Sequence, residues 1–350
     1  MDHGAVGDGV ADDTAAIQSA IDSAISAAQP RPRRVIFPAG TYRTTATLTA
    51  AGSVEICGEG PERTVLVPPA VATGISLGST TPGQSQPHGL VLRDFTVRGT
   101  GTTANPMIDI QQYGRKWVVE RVHFDNGFGD RPGLRVSTSW VGTIRDCNFW
   151  KFGTEGTASN RAAIIVKPQR IGTGVGALGP INNLVIDGCA FERVQTGIDL
   201  HDPAETGTTT TIYSVDIRNP RFKNSATSGS MPNSIGIRSG NNNTFNVQVS
   251  APFFEDFAVG MVVRGWGWII DAPFGQSAAT LIDLVAGGGH SIRGMVLQGA
   301  TDNRIGTGVH CRSTISGNCE LRLWKSVGAA GTVDNSWIDD TAGRLAVIAA

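Results

Sequence analysis

Apolar residues near the start of the chain fall at Ala16, Ile17, Ala20, Ile21, Ala24, Ile25 and Ala28. That spacing puts them on one face of a helix and predicts an amphipathic helix over 13–28. Asp12 and Asp13 stand where a helix start takes a cap and a negative charge, and Gln29-Pro30-Arg31-Pro32 ends the pattern. From "RVIFPAGTYRTTATLT" onward the period changes to two, and strands and turns fill the rest of the chain. No second helix of comparable quality follows.

The strands repeat. "GLVLRDFTV", "TIRDCNF", "NLVIDGCAF", "SVDIRNPRF" and "NVQVSAPFF" share one template, with an anchor column Phe95, Val122, Cys147, Cys189, Pro220, Pro252, Pro273 and Met295. Three residues before each anchor stand Leu92, Val119, Ile144, Ile186, Ile217, Val249, Ile270 and Ile292. Two residues after stand Val97, Phe124, Phe149, Phe191, Phe222, Phe254, Gly275 and Leu297. The anchors are 27, 25, 42, 31, 32, 21 and 22 residues apart. A β-type unit of that size cannot bury its own apolar side chains, so copies must stack as a solenoid.

A second short strand follows each copy: "MIDIQ", "GLRVS", "AIIVK", "GIDLH", "GIRSG", "GMVVR", "LIDLV" and "GVHCR". Most alternate apolar with variable, charged positions, as strands with one buried face do. The reading is an all-β parallel β-helix whose first helix covers the open end of the coil, where unpaired edge and apolar core would otherwise meet water. The coil is expected over 1–310, with 311–350 as an end cap or an oligomer contact. Trp324, Trp337 and the closing "LAVIAA" are the apolar groups available for either role.

Composition narrows the function. A net charge of −1 disfavours nucleic acid as a partner, and no apolar run is long enough for membrane insertion. Met1 leads straight into Asp-His-Gly-Ala, without a secretory leader in view. Cys57, Cys147, Cys189, Cys311 and Cys319 include no Cys-x-x-Cys pair, so neither a zinc site nor a disulfide framework is expected. Cys147 and Cys189 read as buried free thiols; Cys311 and Cys319 are close enough to bridge a short loop. No metal or other cofactor is expected. Gly4, Gly7 and Gly9 read as turn residues rather than a calcium loop, which would need a glutamate at its twelfth position.

"GAVGDGVADDTAAIQSAID", "VIFPAGTY" and "VEICGEG" together resemble the N-terminal signature of the pectate-lyase-like β-helix superfamily. That group includes polygalacturonase-type hydrolases, mannuronan epimerases and phage tailspike depolymerases. The resemblance implies a right-handed coil, a polysaccharide partner lying along one exposed face, and an extracellular or virion-associated location. Tailspikes with this fold add the possibility of a homotrimer. The signature specifies fold more than activity, because one scaffold hosts several reactions.

Two outward positions on each second-column strand therefore matter. One set reads Asp109, Arg135, Ile165, Asp199, Arg238, Val262, Asp283, His310; the other reads Gln111, Ser137, Lys167, His201, Gly240, Arg264, Val285, Arg312. Neighbouring coils lie about 4.8 Å apart, so Asp199 should meet Arg238, and Lys167 should meet His201. Arg135, Lys167, His201, Arg238, Arg264 and Arg312 would form a basic track suited to an acidic polysaccharide, with Asp283 beside it. Long stretches at 168–180, 202–211 and 223–233 in adjacent coils are expected to wall a groove on one edge.

Two chemistries fit. Eliminative cleavage of a uronate needs a base, His201 or Lys167, and a cation such as Arg238 to neutralise the carboxylate. Hydrolysis needs two carboxylates across the glycosidic bond; Asp199 with Asp202 or Glu205 is the best local pair, and Glu255 with Asp256 comes next. Against both stands a charge ladder that only keeps the coil soluble, and a non-catalytic spike or adhesin that uses the groove for binding. The chain departs from polygalacturonase-type hydrolases: its Asp-Asp pairs, Asp12–Asp13 and Asp339–Asp340, lie near the two ends, and "GGHSIR" is a poor match to their Gly-His-Gly. "GIDLHDPAE" holds letters of the mannuronan epimerase block in another order, so no roles transfer.

Overall fold

Each turn of the chain lays down three parallel strands, one on each face of a three-sided coil, and every strand pairs with its counterpart in the next turn. The computed structural model describes residues 3–26, 33–78, 88–99, 101, 103–113, 116–153, 162–168, 181–200, 211–224, 231, 233–240, 242–276, 278–298, 307–323, 338–341 and 343–349. The architecture is a right-handed parallel β-helix with one helix, Thr14–Ser26. Residues 27 and 28, also expected to be helical, lie outside the described residues.

All three columns of the repeat stack residue on residue. On the first sheet Leu92 lies over Val119, then Ile144, Ile186, Ile217, Val249, Ile270 and Ile292. On the second sheet Phe124, Phe149, Phe191, Phe222 and Phe254 form a stack inside the coil, with ring centroids 4.6, 5.0, 4.7 and 5.0 Å apart. Parallel in-register pairing forces this, because equal positions in successive copies become neighbours. Each stacked ring pair adds about 0.5–1.5 kcal/mol beyond burial. The third sheet makes room for the stack: a Cβ at Gly197 would lie 2.4 Å from the Phe222 ring, and one at Gly236 2.3 Å from Phe254.

A single residue turns the chain from the first sheet to the second. Asp94, Arg121, Asp146, Gly188, Asn219, Ala251, Ala272 and Gly294, each directly before an anchor, all have positive φ, between 47° and 63°. Only two are glycine, although this conformation disfavours other residues. The backbone compensates by bonding corner to coil: Asn219 N donates to Ser250 O at 2.9 Å, and Ala272 N to Arg293 O at 2.7 Å.

The helix packs its buried Ile17, Ile21 and Ala24 against the first coil, at strands Leu48–Ala50 and Arg33–Phe37. Burying each isoleucine is worth about 1.5–3 kcal/mol. The two aspartates before it divide the work of starting the helix. Asp12 accepts from Thr14 N (3.1 Å) and from Thr45 Oγ1 (2.6 Å). Hydrogen bonds from Thr14 and then Thr45 hold its carboxyl down to about 2. Asp13 is buried and turns back to accept from Val6 N (2.6 Å) and Gly7 N (3.2 Å). Gly4, Gly7 and Gly9 have positive φ, as turn residues should.

The coil does not stop at residue 310. Cys319–Leu323 extends the first sheet, Leu345–Ala349 follows it, and Ile338–Asp340 extends the third sheet beyond Thr307–Cys311. The template is hard to read there because no anchor residue with its left-handed corner precedes a matching second-sheet strand among the described residues. Trp324 and Trp337 lie outside those residues. All five cysteines are buried free thiols.

Candidate functional site

The third sheet carries the outward row in the expected order. Asp109 pairs in register with Arg135, then Ile165, Asp199, Arg238, Val262, Asp283 and His310. Ser76 precedes the row and Asp339 follows it. A strand's alternation sends Ile198 and Leu200 inward and leaves Asp199 between them facing out.

Acid and base in this row are tied together. Arg135 donates from Nε to Asp109 Oδ1 at 2.9 Å and from Nη2 to Oδ2. Arg238 donates to Asp199 Oδ2 from Nε at 3.0 Å and from Nη2 at 2.6 Å. Arg312 forks onto Asp283, Nε to Oδ1 at 2.9 Å and Nη2 to Oδ2 at 2.6 Å. That carboxylate pushes the Arg312 guanidinium further up from its ordinary value. The three carboxylates are covered, with 1%, 1% and 7% of their side chains exposed; Arg312, at 49%, is open to solvent. Three arginines of the basic track, Arg135, Arg238 and Arg312, are thus members of carboxylate–guanidinium pairs and not unopposed cations.

His310 extends the last pair. Its Nδ1 lies 3.4 Å from Asp283 Oδ1 and its Nε2 lies 3.5 Å from Asp339 Oδ2. The sequence placed His310 in the row without a role and missed Asp339, although the apolar–acid alternation of Ile338-Asp339 carried the signal. One position of the second row is corrected: a register shift after Val263 sets Arg264 opposite Ala286, not Val285. An extra residue in one strand of a pair is invisible to a period-two reading.

Lys167 is half-buried at the end of strand Ala162–Val166, where its backbone N bonds Val136 O at 2.8 Å. His201, Asp202 and Glu205 lie outside the described residues, as do most of the three long stretches. The strands that flank those stretches do not belong to one pair of sheets. Two stretches lead from the third sheet to the first, while 223–233 leads from the second sheet to the third. Glu255, the acid of the second-choice pair, belongs to another face: it pairs with Lys223 at 3.2 Å on the second sheet. Among the described residues, no three His, Cys, Asp or Glu side chains are grouped to hold a metal ion, and no helix is long and apolar enough to cross a membrane.

The mannuronan C5-epimerase AlgE2 of Azotobacter vinelandii is 46% identical over 72 residues, covering 19% of this chain. The chain spans only 7% of that relative's length. Among solved structures, the surface adhesin PfbA of Streptococcus pneumoniae aligns with a TM-score of 0.69 at 15% identity, over 92% of this chain and 83% of its own. ORF18 of Geobacillus virus E2 aligns with a TM-score of 0.63 at 17% identity, over 93% of this chain and 60% of its own. At such identities the likeness is one of fold. The family model for rhamnogalacturonase A/epimerase, pectate lyase-like proteins matches residues 1–199, more than half of the chain. With the coil, its corner and its cap in agreement, the chain belongs to that pectate lyase-like family.

Proposed function

We propose that this protein binds an acidic polysaccharide along the outward row of the third sheet and cleaves it by β-elimination. The observation that carries the reading is the set of buried carboxylates, each holding an arginine, of which Arg312 is open to solvent. A guanidinium has five N–H donors in a fixed fork; a carboxylate behind it takes two, and an open one such as Arg312 offers its outer edge to a uronate. Hydrolysis is served less well, because it needs two carboxylates across the scissile bond and these acids already orient arginines.

In the elimination, a base removes the proton on C5 of a uronate, the electron pair forms the C4–C5 double bond, and the bond from C4 to the glycosidic oxygen breaks. That oxygen then takes up a proton. Lys167 or His201 is the base and Arg238 the group that neutralises the sugar carboxylate. The polymer partner, with an extracellular or virion-associated setting and a trimeric assembly, belongs to this same proposal. The tied carboxylates also suit a spike or adhesin that binds without cutting, and that is the second reading.

Mass spectrometry of products from a panel of polyuronates and neutral polymers tests it. Fragments short of one water relative to hydrolysis products are expected, and Lys167→Met should slow their release about 100-fold or more if Lys167 is the base. Fragments carrying that water would replace the lyase with a hydrolase. Binding without fragments would leave the adhesin reading.

A further inference from the structure

A cleft of about 550 Å³ opens on the second sheet, away from the row just described, among Pro61, Glu62, Arg121, His123, Asp146 and Asn148. His123 and Asn148 occupy equal outward positions on adjacent coils. His123 Nε2 and Asn148 Oδ1 are both buried, and neither has a hydrogen-bond partner. Unsatisfied buried polar atoms are uncommon, and both belong to side chains that line this one cleft, so a ligand seated there pairs with them once the ring and the amide turn toward it.

The chemistry of that ligand follows from the lining. Burial pushes the His123 imidazole below its ordinary value, so at neutral pH it carries no charge and offers one N–H and one lone pair. An amide edge and a neutral imidazole are both matched by a hydroxyl, which donates and accepts, whichever tautomer or amide orientation is present. A carboxylate or phosphate fits poorly. It cannot donate to Asn148 Oδ1, and it meets Glu62 and Asp146 at the wall. Both guanidiniums on the wall are paired with carboxylates: Arg121 bonds Asp94 at 2.6 and 3.0 Å and Glu120 at 3.1 Å, and Arg63 lies 3.4 Å from Glu59. Pro61 adds apolar surface for the C–H face of a sugar ring. The volume lies within the usual range for small-molecule sites.

We infer that this cleft is a second carbohydrate site, one that takes a neutral pyranose through ring hydroxyls paired with His123 and Asn148. It is separate from the row on the third sheet and of opposite preference: neutral sugar here, acidic sugar there. It stands on its own chemistry, so failure of the cleavage reading leaves it intact.

The experiment titrates the full chain with a panel of neutral methyl glycosides and with methyl galacturonoside, following the His123 ring protons by NMR. At least one neutral glycoside should give saturable shifts with a dissociation constant on the order of 1 mM. His123→Phe and Asn148→Leu, read by calorimetry, should each weaken binding tenfold or more. Neither should lower the denaturation midpoint, because replacing an unpaired buried polar group by an apolar one of similar shape is near neutral. Arg218→Gln, on the outward face of the first sheet, should leave the affinity unchanged. No saturable shift with any glycoside, binding that persists in both cleft variants, or tighter binding of the galacturonoside would each overturn the assignment.

Discussion

The outward faces of the first and third sheets carry the same letters with different consequences. On the first sheet Glu55 meets Arg34 and Arg93, Glu120 meets Arg145, and Asp216 meets Arg218. On the third sheet Asp109, Asp199 and Asp283 meet Arg135, Arg238 and Arg312. Acid–arginine pairing is therefore general to this coil and marks no site by itself. Burial grades the pairs rather than the faces: Glu120 on the first sheet is about as covered as Asp283 on the third, and the extremes are Asp216 on one side and Asp109 and Asp199 on the other. Asp216 is part-exposed and its arginine is open to water, while Asp109 and Asp199 are almost completely covered. An exposed pair is screened and contributes little; a covered carboxylate holds its arginine in one place and is missed when removed.

The sharpest way to break this comparison is to delete one acid from each face. Asp199→Ala should cost about 3 kcal/mol or more in urea denaturation, since Arg238 then keeps its charge in a largely covered position without the carboxylate. Asp216→Ala should cost less than about 1 kcal/mol. Equal losses would mean that burial is not what distinguishes the two pairs. A smaller effect concerns ligand. Arg312→Gln should weaken binding of a polyuronate about tenfold, roughly 1.4 kcal/mol, in titration calorimetry. Arg218→Gln on the first sheet should leave it unchanged.

The smallest effect is a pH dependence on the first face. Asp94 lies below its ordinary carboxyl value, mainly through Arg121 and then Arg93, against the opposing effect of burial. Its contribution is present above the unfolded value near 3.8 and is lost as pH falls through the lower folded value, where the unfolded chain binds the proton first. Thermal melting between pH 5 and 2 should show a slightly shallower fall for Asp94→Asn than for the parent. Asparagine keeps the corner, because it tolerates the left-handed conformation.

Much of this geometry was legible from the letters alone, for one reason. When equal positions stack, the sequence interval becomes a distance, so the neighbour of Asp199 could be named as Arg238 without a structure. The Phe124–Phe254 stack was legible in the same way. What depends on depth was not legible: nothing in "GIDL" says that its aspartate is covered. Nor could the sequence show the shift at Arg264, the pairing of His310 with Asp339, or the cleft around His123. That cleft joins the Gly60–Arg63 turn of one coil to corner and strand residues of later ones, and no period connects them.

The left-handed corner has a consequence for how such a molecule changes over time. From the inward residue of the first sheet to that of the second, the chain takes the same number of steps in every copy, while the anchors drift from 21 to 42 residues apart. Apart from register shifts inside strands Trp117–Gly129 and Thr280–Gly288, that drift falls at the two other corners, and both border the third sheet. Insertions and grafts are thus steered to the rims of the row, where they can remodel what it meets without altering the pitch of the coil. Length can change at those rims alone, with the scaffold serving as a jig.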